Sequence, residues 1–297
     1  MAASLRDLRR KIKSTQSTKK ITQAMQMMAS SKMQKAIKSA EKSRDYSRVA
    51  WEIVENIKLR TDLTRHLLLS ERPLKKVLIV LVTSNRGLCG GLNAQVLRKL
   101  NLYLDELKKS NISASLITIG NKGKLFVSRY LKDMLIADFP ASDKAIDFAN
   151  TQAMAKMILD DYALGKYDHV SIFYNHFAST LKQEPMQKQI LPIAYLSKEE
   201  NQQLSEQNNI KTEYKFEPDI NYILDTMLPT IIKIQIHQIL LEANASEHSA
   251  RMIAMKNATD NASDLIDDLT LTYNSLRQAA ITKEITEISA GAEALRS

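Results

Sequence analysis

The 297-residue sequence has one cysteine, Cys89, which excludes an internal disulfide and fits a reducing compartment. Glycine and proline are scarce, at seven and six residues, and both ends of the chain are poor in them. No proline precedes Pro73, no glycine precedes Gly87, and neither occurs between Pro229 and Gly291. Without such breakers a helix can run on far beyond the usual length. Aromatic residues make up 6% of the chain, with a single tryptophan, as suits a chain much of which is two-helix coil rather than deep core. The longest purely apolar run, Val77 to Val82, is too short to cross a bilayer. The cluster after Ile231 is broken by Lys233, Gln235, His237 and Gln238.

Acidic residues are missing where basic ones collect. Residues 1–44 hold twelve Lys or Arg against Asp7 and Glu41, a local excess larger than the +9 of the whole chain. A basic helix of this kind suits an acidic partner, whether nucleic acid, anionic lipid or an acidic protein face. From charge alone a solvated helix face is the preferred reading. The Arg-rich, Ser-containing start also resembles a targeting peptide, but the helical pattern continues through it.

What is present at the C-terminal end is a seam. Leu241, Ala245, His248, Met252, Met255, Thr259, Ala262, Ile266, Leu269, Tyr273, Leu276 and Ala280 recur in alternating steps of four and three. That heptad spacing calls for a second helix along the seam. The pattern slips by one residue and continues as Ile281, Ile285, Ile288, Ala292 and Leu295. At about 1.5 Å per residue, Leu241 to Leu295 would extend roughly 80 Å, so its partner must be long as well. The first ~70 residues are the candidate. Their apolar steps run Leu5, Leu8, Ile12, then Ile21, Met25, Met28, then Met33, Ala36, Ala40, and later Val49, Ile53, Ile57. The polar interval Ser14 to Lys20 is expected to break this register. An antiparallel pair made from the two ends buries both seams.

Between them the period changes. Lys75 to Ser84 reads as a buried parallel strand. A glycine-rich turn follows, then a helix over Leu92–Leu107, a strand over Ser113–Gly120 and a short helix over Lys124–Leu131. Met134–Phe139 reads as a third strand, and Lys144–Leu164 as a helix stopped by Gly165. His169–Phe177 and Gln187–Leu196 come with no helix between them and are expected to pair antiparallel. Alternating strand and helix give a mostly parallel sheet covered on both faces. The expected organisation is a long helix (1–72), an inserted α/β domain (73–197), a polar connection (198–219) and a second long helix (220–297).

Chemistry-bearing patterns are few. The turn Ser84–Gly91 lies where phosphate-binding loops lie, but its glycines, Gly87, Gly90 and Gly91, match neither common phosphate-loop spacing. A tight structural turn is the reading preferred. His237 and His248 lie about 16 Å apart along a helix, too far to share a metal. Cys89 has no base beside it in sequence and is expected to pack within the turn. No triad, paired-carboxylate or metal signature emerges, and no cofactor is expected.

Four stretches carry a resemblance: Ile12–Ala36, Ser84–Asn93, Glu247–Ala262 and Ile281–Leu295. Together they resemble the gamma subunits of F-type ATP synthases over essentially the full length. The resemblance implies an antiparallel coiled coil with a Rossmann-like domain at its foot, and a non-catalytic rotor. Its implied partners are the hexamer of alpha and beta subunits, the epsilon subunit and the c-subunit ring of the membrane sector. Proton flow would turn the ring and the coil with it. The resemblance also implies contact residues: Met25 and Lys32 toward an acidic loop of the beta subunit, Arg251 within Ser249–Lys256, and Arg277, Gln278, Thr282 and Glu284 toward a catch loop. Small or flexible residues from Met25 to Ser31 suit a surface that must slide. A single cysteine excludes the cysteine-pair redox switch of plastid members. A bacterial protein, peripheral on the cytoplasmic face of the cell inner membrane, is expected. Two other classes stand beside this: a basic coiled-coil module binding nucleic acid, with a ligand-sensing α/β domain, and a nucleotide-dependent enzyme using the turn at Gly87–Gly91.

Overall fold

The computed structural model describes residues 2–58, 66–70, 72–141, 148–193 and 220–294. The two end helices are α1 (Ala2–Lys58) and α5 (Ile220–Ala294). Between them lie β1 (Lys76–Val82), α2 (Leu92–Lys109), β2 (Ser113–Ile119), α3 (Asn121–Tyr130), β3 (Leu135–Phe139), α4 (Phe148–Ala163), β4 (His169–Phe177) and β5 (Gln183–Leu191). Residues 194–219, which include the whole of the expected polar connection, lie outside the described residues, as do the side chains of Ile53 and Ile57. The chain divides into two compact units, Met1–Ser30 with Arg251–Ser297, and Ser31–Ala250.

In the larger unit five strands form one sheet in the order β3-β2-β1-β4-β5. β1 pairs parallel with β2 and β4, β2 pairs parallel with β3, and β5 closes the edge antiparallel to β4. β1 reads KVLIVLV because both of its faces are covered. Val77, Ile79 and Leu81 point into a cluster with Val96, Leu100 and Leu104 of α2 and Val127 of α3. Leu78, Val80 and Val82 point the other way, against Ile158 and Tyr162 of α4 and Leu228, Ile232 and Ile236 of α5.

β5 begins and ends earlier than the sequence pattern suggests, spanning Gln183–Leu191 rather than Gln187–Leu196. Its early residues are polar and only half-buried because this is an edge strand. The same position explains Pro185, which pairs with Asn175 although it has no N–H to give to a ladder.

α5 is tied to the end of this sheet by polar contacts. Ser249 Oγ donates to the Thr180 carbonyl at 2.6 Å, and Gln183 Nε2 donates to Ser249 Oγ at 3.3 Å. His176 Nδ1 lies 2.9 Å from Glu242 Oε2, and Gln238 Nε2 donates to the other Glu242 oxygen at 3.1 Å. Burial pushes the Glu242 carboxyl up. Hydrogen bonds from His176 and Gln238, with the charges of His176 and Lys188, outweigh it and hold the group below the usual carboxylate range.

The turn after β1 is wired to itself. The Ser84 N–H donates to Asn93 Oδ1 at 3.1 Å, Ser84 Oγ donates to the Arg86 carbonyl, and Asn93 Nδ2 reaches Ser84 Oγ and Cys89 Sγ. Leu88 and Gly90 both take positive φ, 63° and 59°. Cys89 is buried. The turn is structural, as its spacing suggests.

Candidate coupling surface on the paired helices

In the smaller unit two cross-helix hydrogen bonds set the pairing. Lys19 Nζ donates to Ser263 Oγ at 2.7 Å, and Thr259 Oγ1 donates to Thr22 Oγ1 at 2.8 Å. Three residues forward on α1 correspond to four back on α5, so the helices run antiparallel. Carried along in heptad steps, this register sets Leu5 against Leu276, Leu8 against Tyr273, Ile12 against Leu269 and Thr15 against Ile266. In the other direction it sets Gln26 against Met255 and Ala29 against Met252.

Burial agrees at every layer. All of these residues are buried or half-buried, whereas Ile21 and Met28 are 60% and 58% exposed. The expected break at Ser14–Lys20 is therefore absent. The α1 seam runs Leu5, Leu8, Ile12, Thr15, Lys19, Thr22, Gln26, Ala29 in unbroken steps of three and four. It is polar in the middle rather than irregular, and the apolar Ile21 and Met28 stand off it. The polar layers remain satisfied, since Thr22 Oγ1 also donates to the Lys19 carbonyl at 3.0 Å.

On α5 the seam is covered as far as Ala280. Beyond it Ile281, Ile285 and Ile288 are 46%, 58% and 72% exposed. The register sets Ala280 level with the first residues of α1, so no described residue of α1 faces these three. Among the described residues this apolar stripe of α5 has no partner.

The residues singled out from the sequence fall into separate places. Arg277, Gln278, Thr282 and Glu284 are exposed on consecutive turns of α5, beside the isoleucine stripe. Met25 and Arg251 are half-buried and flank the Gln26 and Ala29 layers. Arg251 and Arg277 are 26 residues apart, about 39 Å along one helix, so they do not form one site. Lys32 is exposed and belongs to the larger unit. Thr259 was read as a seam residue from the sequence; Lys19 and Thr22 of α1, and Ser263 beside Ala262, were missed. Counting back by fours and threes from Ala29 would have found the two on α1.

The charge on this unit is divided by helix. Arg6, Arg9, Arg10, Lys11, Lys13 and Lys20 of α1 are exposed, and so are Asp260, Asp264, Asp267 and Asp268 of α5. Among the described residues no three or more His, Cys, Asp or Glu gather to hold a metal, and no helix is long and apolar enough to cross a membrane.

The ATP synthase family (ATP-synt) matches residues 4–295. The ATP synthase gamma chain of Pelagibacter ubique is 40% identical over 297 residues, 99% of this chain and all of that one. The central stalk and c-ring structure of Tetrahymena thermophila mitochondrial ATP synthase is 26% identical with a TM-score of 0.59, covering 80% of this chain and 99% of its own. The rotor of the Euglena gracilis mitochondrial enzyme shares the fold at 18% identity, with a TM-score of 0.63 over 95% of this chain and all of its own. Fold, paired helices and full-length similarity together define a central-stalk subunit of an ATP synthase. The chain belongs to the family of ATP synthase gamma chains. Nothing in these similarities supports a nucleic-acid-binding module.

Proposed function

We propose that the paired helices are the turning shaft of the complex and that the chain itself carries no catalytic group. The observation that supports this most is the coil: an unbroken two-helix register that ends in an α5 face with no partner among the described residues. A shaft must resist twist, and a continuous antiparallel coil free of proline and glycine along its seam does so. Its end must bear against a surrounding collar without locking into it, which a stripe of exposed isoleucines flanked by Arg277, Gln278, Thr282 and Glu284 suits. In this reading those four residues, with Met25, Lys32 and Arg251, meet the alpha and beta subunits that carry the nucleotide chemistry. The basic face of α1 meets acidic protein surface.

The α/β domain (73–197) would sit with the epsilon subunit on the c-subunit ring, and proton flow through the membrane sector would turn ring and shaft together. The terminal segments 1–72 and 220–297 would supply the shaft. The complex would lie on the inner membrane of a bacterium, with this chain on the cytoplasmic face and held there through its partners.

Mixing the full chain with alpha and beta subunits tests this reading. A stable complex with ATPase activity is expected, where the chain alone has none. Hydrolysis by the isolated chain, or a folded chain that never joins the hexamer, would overturn it.

A further inference from the structure

The four parallel strands of the larger unit begin at one end of the sheet, and the cations of the α/β domain collect there. Backbone bonds tie that end together. The Ser113 N–H donates to the Lys75 carbonyl at 3.0 Å, and the Asp168 N–H donates to the Lys76 carbonyl at 2.8 Å. The Ile112 N–H, bonded to the Leu107 carbonyl at 2.9 Å, returns the chain from α2 to β2, and the Met134 N–H, bonded to the Leu131 carbonyl at 3.0 Å, returns it from α3 to β3. The last turns of α2 and α3 thus stand beside the starts of β1, β2 and β3, three strands about 10 Å across. Lys75, Lys76, Lys108, Lys109, Arg129 and Lys132 are exposed at this end, against the exposed carboxylates of Glu106 and Asp133. With the basic stretch 1–44 set aside, the rest of the sequence balances thirty Lys or Arg against thirty-one Asp or Glu. The positive charge here is therefore a local excess rather than the chain's average.

These cations are not engaged in ion pairs. At the opposite end of the sheet Lys124 pairs with Asp138, and Lys182 with Glu184. At the amino end Lys166 pairs with Asp161, and none of the six pairs with a described residue. Asp168 Oδ2 accepts the backbone N–H groups of Lys75 and Lys76, at 3.0 and 2.9 Å. A cation in the last turn of a helix complements its dipole, which accounts for Lys108, Lys109 and Arg129 taken singly. It does not account for Lys75 and Lys76 at the start of a strand, or for Lys132 beyond the end of α3.

Unpaired cations on one face fit an anionic surface, and the residues among them select its kind. Leu74, Tyr130 and Leu164 are exposed at the same end. An acidic protein face would meet the charges alone. A phospholipid surface sets negative headgroups over an apolar layer that leucine and tyrosine side chains enter. We infer that the amino end of the sheet is a docking surface for anionic phospholipid headgroups. It adds a lipid contact to attachment through partner subunits. The inference uses only the larger unit and does not depend on the shaft reading.

Vesicles of phosphatidylglycerol and phosphatidylcholine carrying a nitroxide-labelled lipid make the test. The basic face of α1 also draws the chain to such vesicles, so the readout must locate the contact. In a Cys89→Ser background the full chain carries one fluorophore, at Ser110→Cys between α2 and β2 or at Lys182→Cys at the far end of the sheet, both exposed positions. Quenching by the nitroxide lipid is expected at Ser110→Cys and not at Lys182→Cys, and phosphatidylcholine alone should give none. Each cation near an anionic surface contributes about fivefold in affinity. Glutamine at Lys108, Lys109, Arg129 and Lys132 together is therefore expected to weaken the quenching titration more than about tenfold. Glutamine at Arg6, Arg9, Arg10 and Lys13 should change it by less than about threefold. Folding is checked by thermal unfolding, and if the variant does not fold, the two labelled sites on the otherwise unsubstituted chain still decide. Equal quenching at both sites, none at Ser110→Cys, or an undiminished signal in the folded glutamine variant would each overturn the inference. Capture by poly-glutamate through these residues, with no binding to vesicles, would assign the surface to an acidic protein and overturn it as well.

Discussion

Replacing Ile281, Ile285 and Ile288 together by serine should leave the isolated chain as stable as before and weaken its hold on the hexamer. The three residues are 46%, 58% and 72% exposed, so roughly half or more of each stays open to a partner. Serine and isoleucine have similar helix propensities, and exposed substitutions of this kind change stability by about 0.5 kcal/mol or less. Full burial of an isoleucine contributes roughly 1.5–3 kcal/mol. Scaled by the fraction still open to a partner, each stands to add roughly 1–2 kcal/mol on assembly, and about 4 kcal/mol for the three. At 1.4 kcal/mol per tenfold, that is a loss in affinity of about 10²- to 10³-fold. Two assays separate the terms: thermal unfolding of the free chain, and titration of labelled chain against the alpha-beta hexamer. An affinity changed by less than about threefold would refute the proposed role of this face. A large drop in the free chain's unfolding temperature would refute the claim that the stripe is unpartnered within it.

Three other outcomes follow from the geometry. In a Cys89→Ser background, Ile12→Cys with Leu269→Cys should form a disulfide on mild oxidation, and Ile12→Cys with Leu276→Cys, one heptad or about 10 Å away, should not; the reverse would refute the register. Gly120 has φ +92°, and an added Cβ would come within 2.1 Å of the Thr83 carbonyl oxygen. Gly120→Ala should therefore cost roughly 3 kcal/mol in urea unfolding, and a cost under about 1 kcal/mol would contradict that crowding. Acid should weaken the larger unit in two stages. Burial holds the His169 imidazole below its ordinary 6.5, so the unfolded chain takes up the proton first and stability falls as pH drops below about 6.5 toward the lowered folded value. Glu242 contributes stability above its ordinary 4.5 that is lost as pH falls through its lowered folded value. His169→Gln should flatten the first stage and Glu242→Gln the second in pH-resolved unfolding, and unchanged profiles would remove these groups from the account.

The seam of α5 was legible because its positions are apolar or small at nearly every step. The α1 seam was not, because apolarity and seam position part company there. Thr15, Lys19, Thr22 and Gln26 occupy the seam, Lys19 and Thr22 through hydrogen bonds to Ser263 and Thr259, while Ile21 and Met28 sit off it and face solvent. A hydrophobic pattern reports burial, and these layers are held by polar contacts it cannot register. In the α/β domain β1 stood out because both faces are covered, while β5 was displaced because an edge strand needs no apolar run. Arg277, Gln278, Thr282 and Glu284 were reached by resemblance alone. Their proposed partners belong to other chains, so nothing in this chain's own periodicity marks them. His176 and Glu242, 66 residues apart, meet only once the sheet and α5 are in place.

The central claim is that this chain turns. Cys89, 2% exposed, cannot carry a probe, so the test uses Cys89→Ser with Lys182→Cys, an exposed site on the β4–β5 turn. The chain is assembled with alpha and beta subunits fixed to a surface and a bead attached at that cysteine. Stepwise, one-directional rotation on adding ATP, absent without it, is the result the account predicts. An assembled complex that hydrolyses ATP while the bead only fluctuates about one orientation would contradict it.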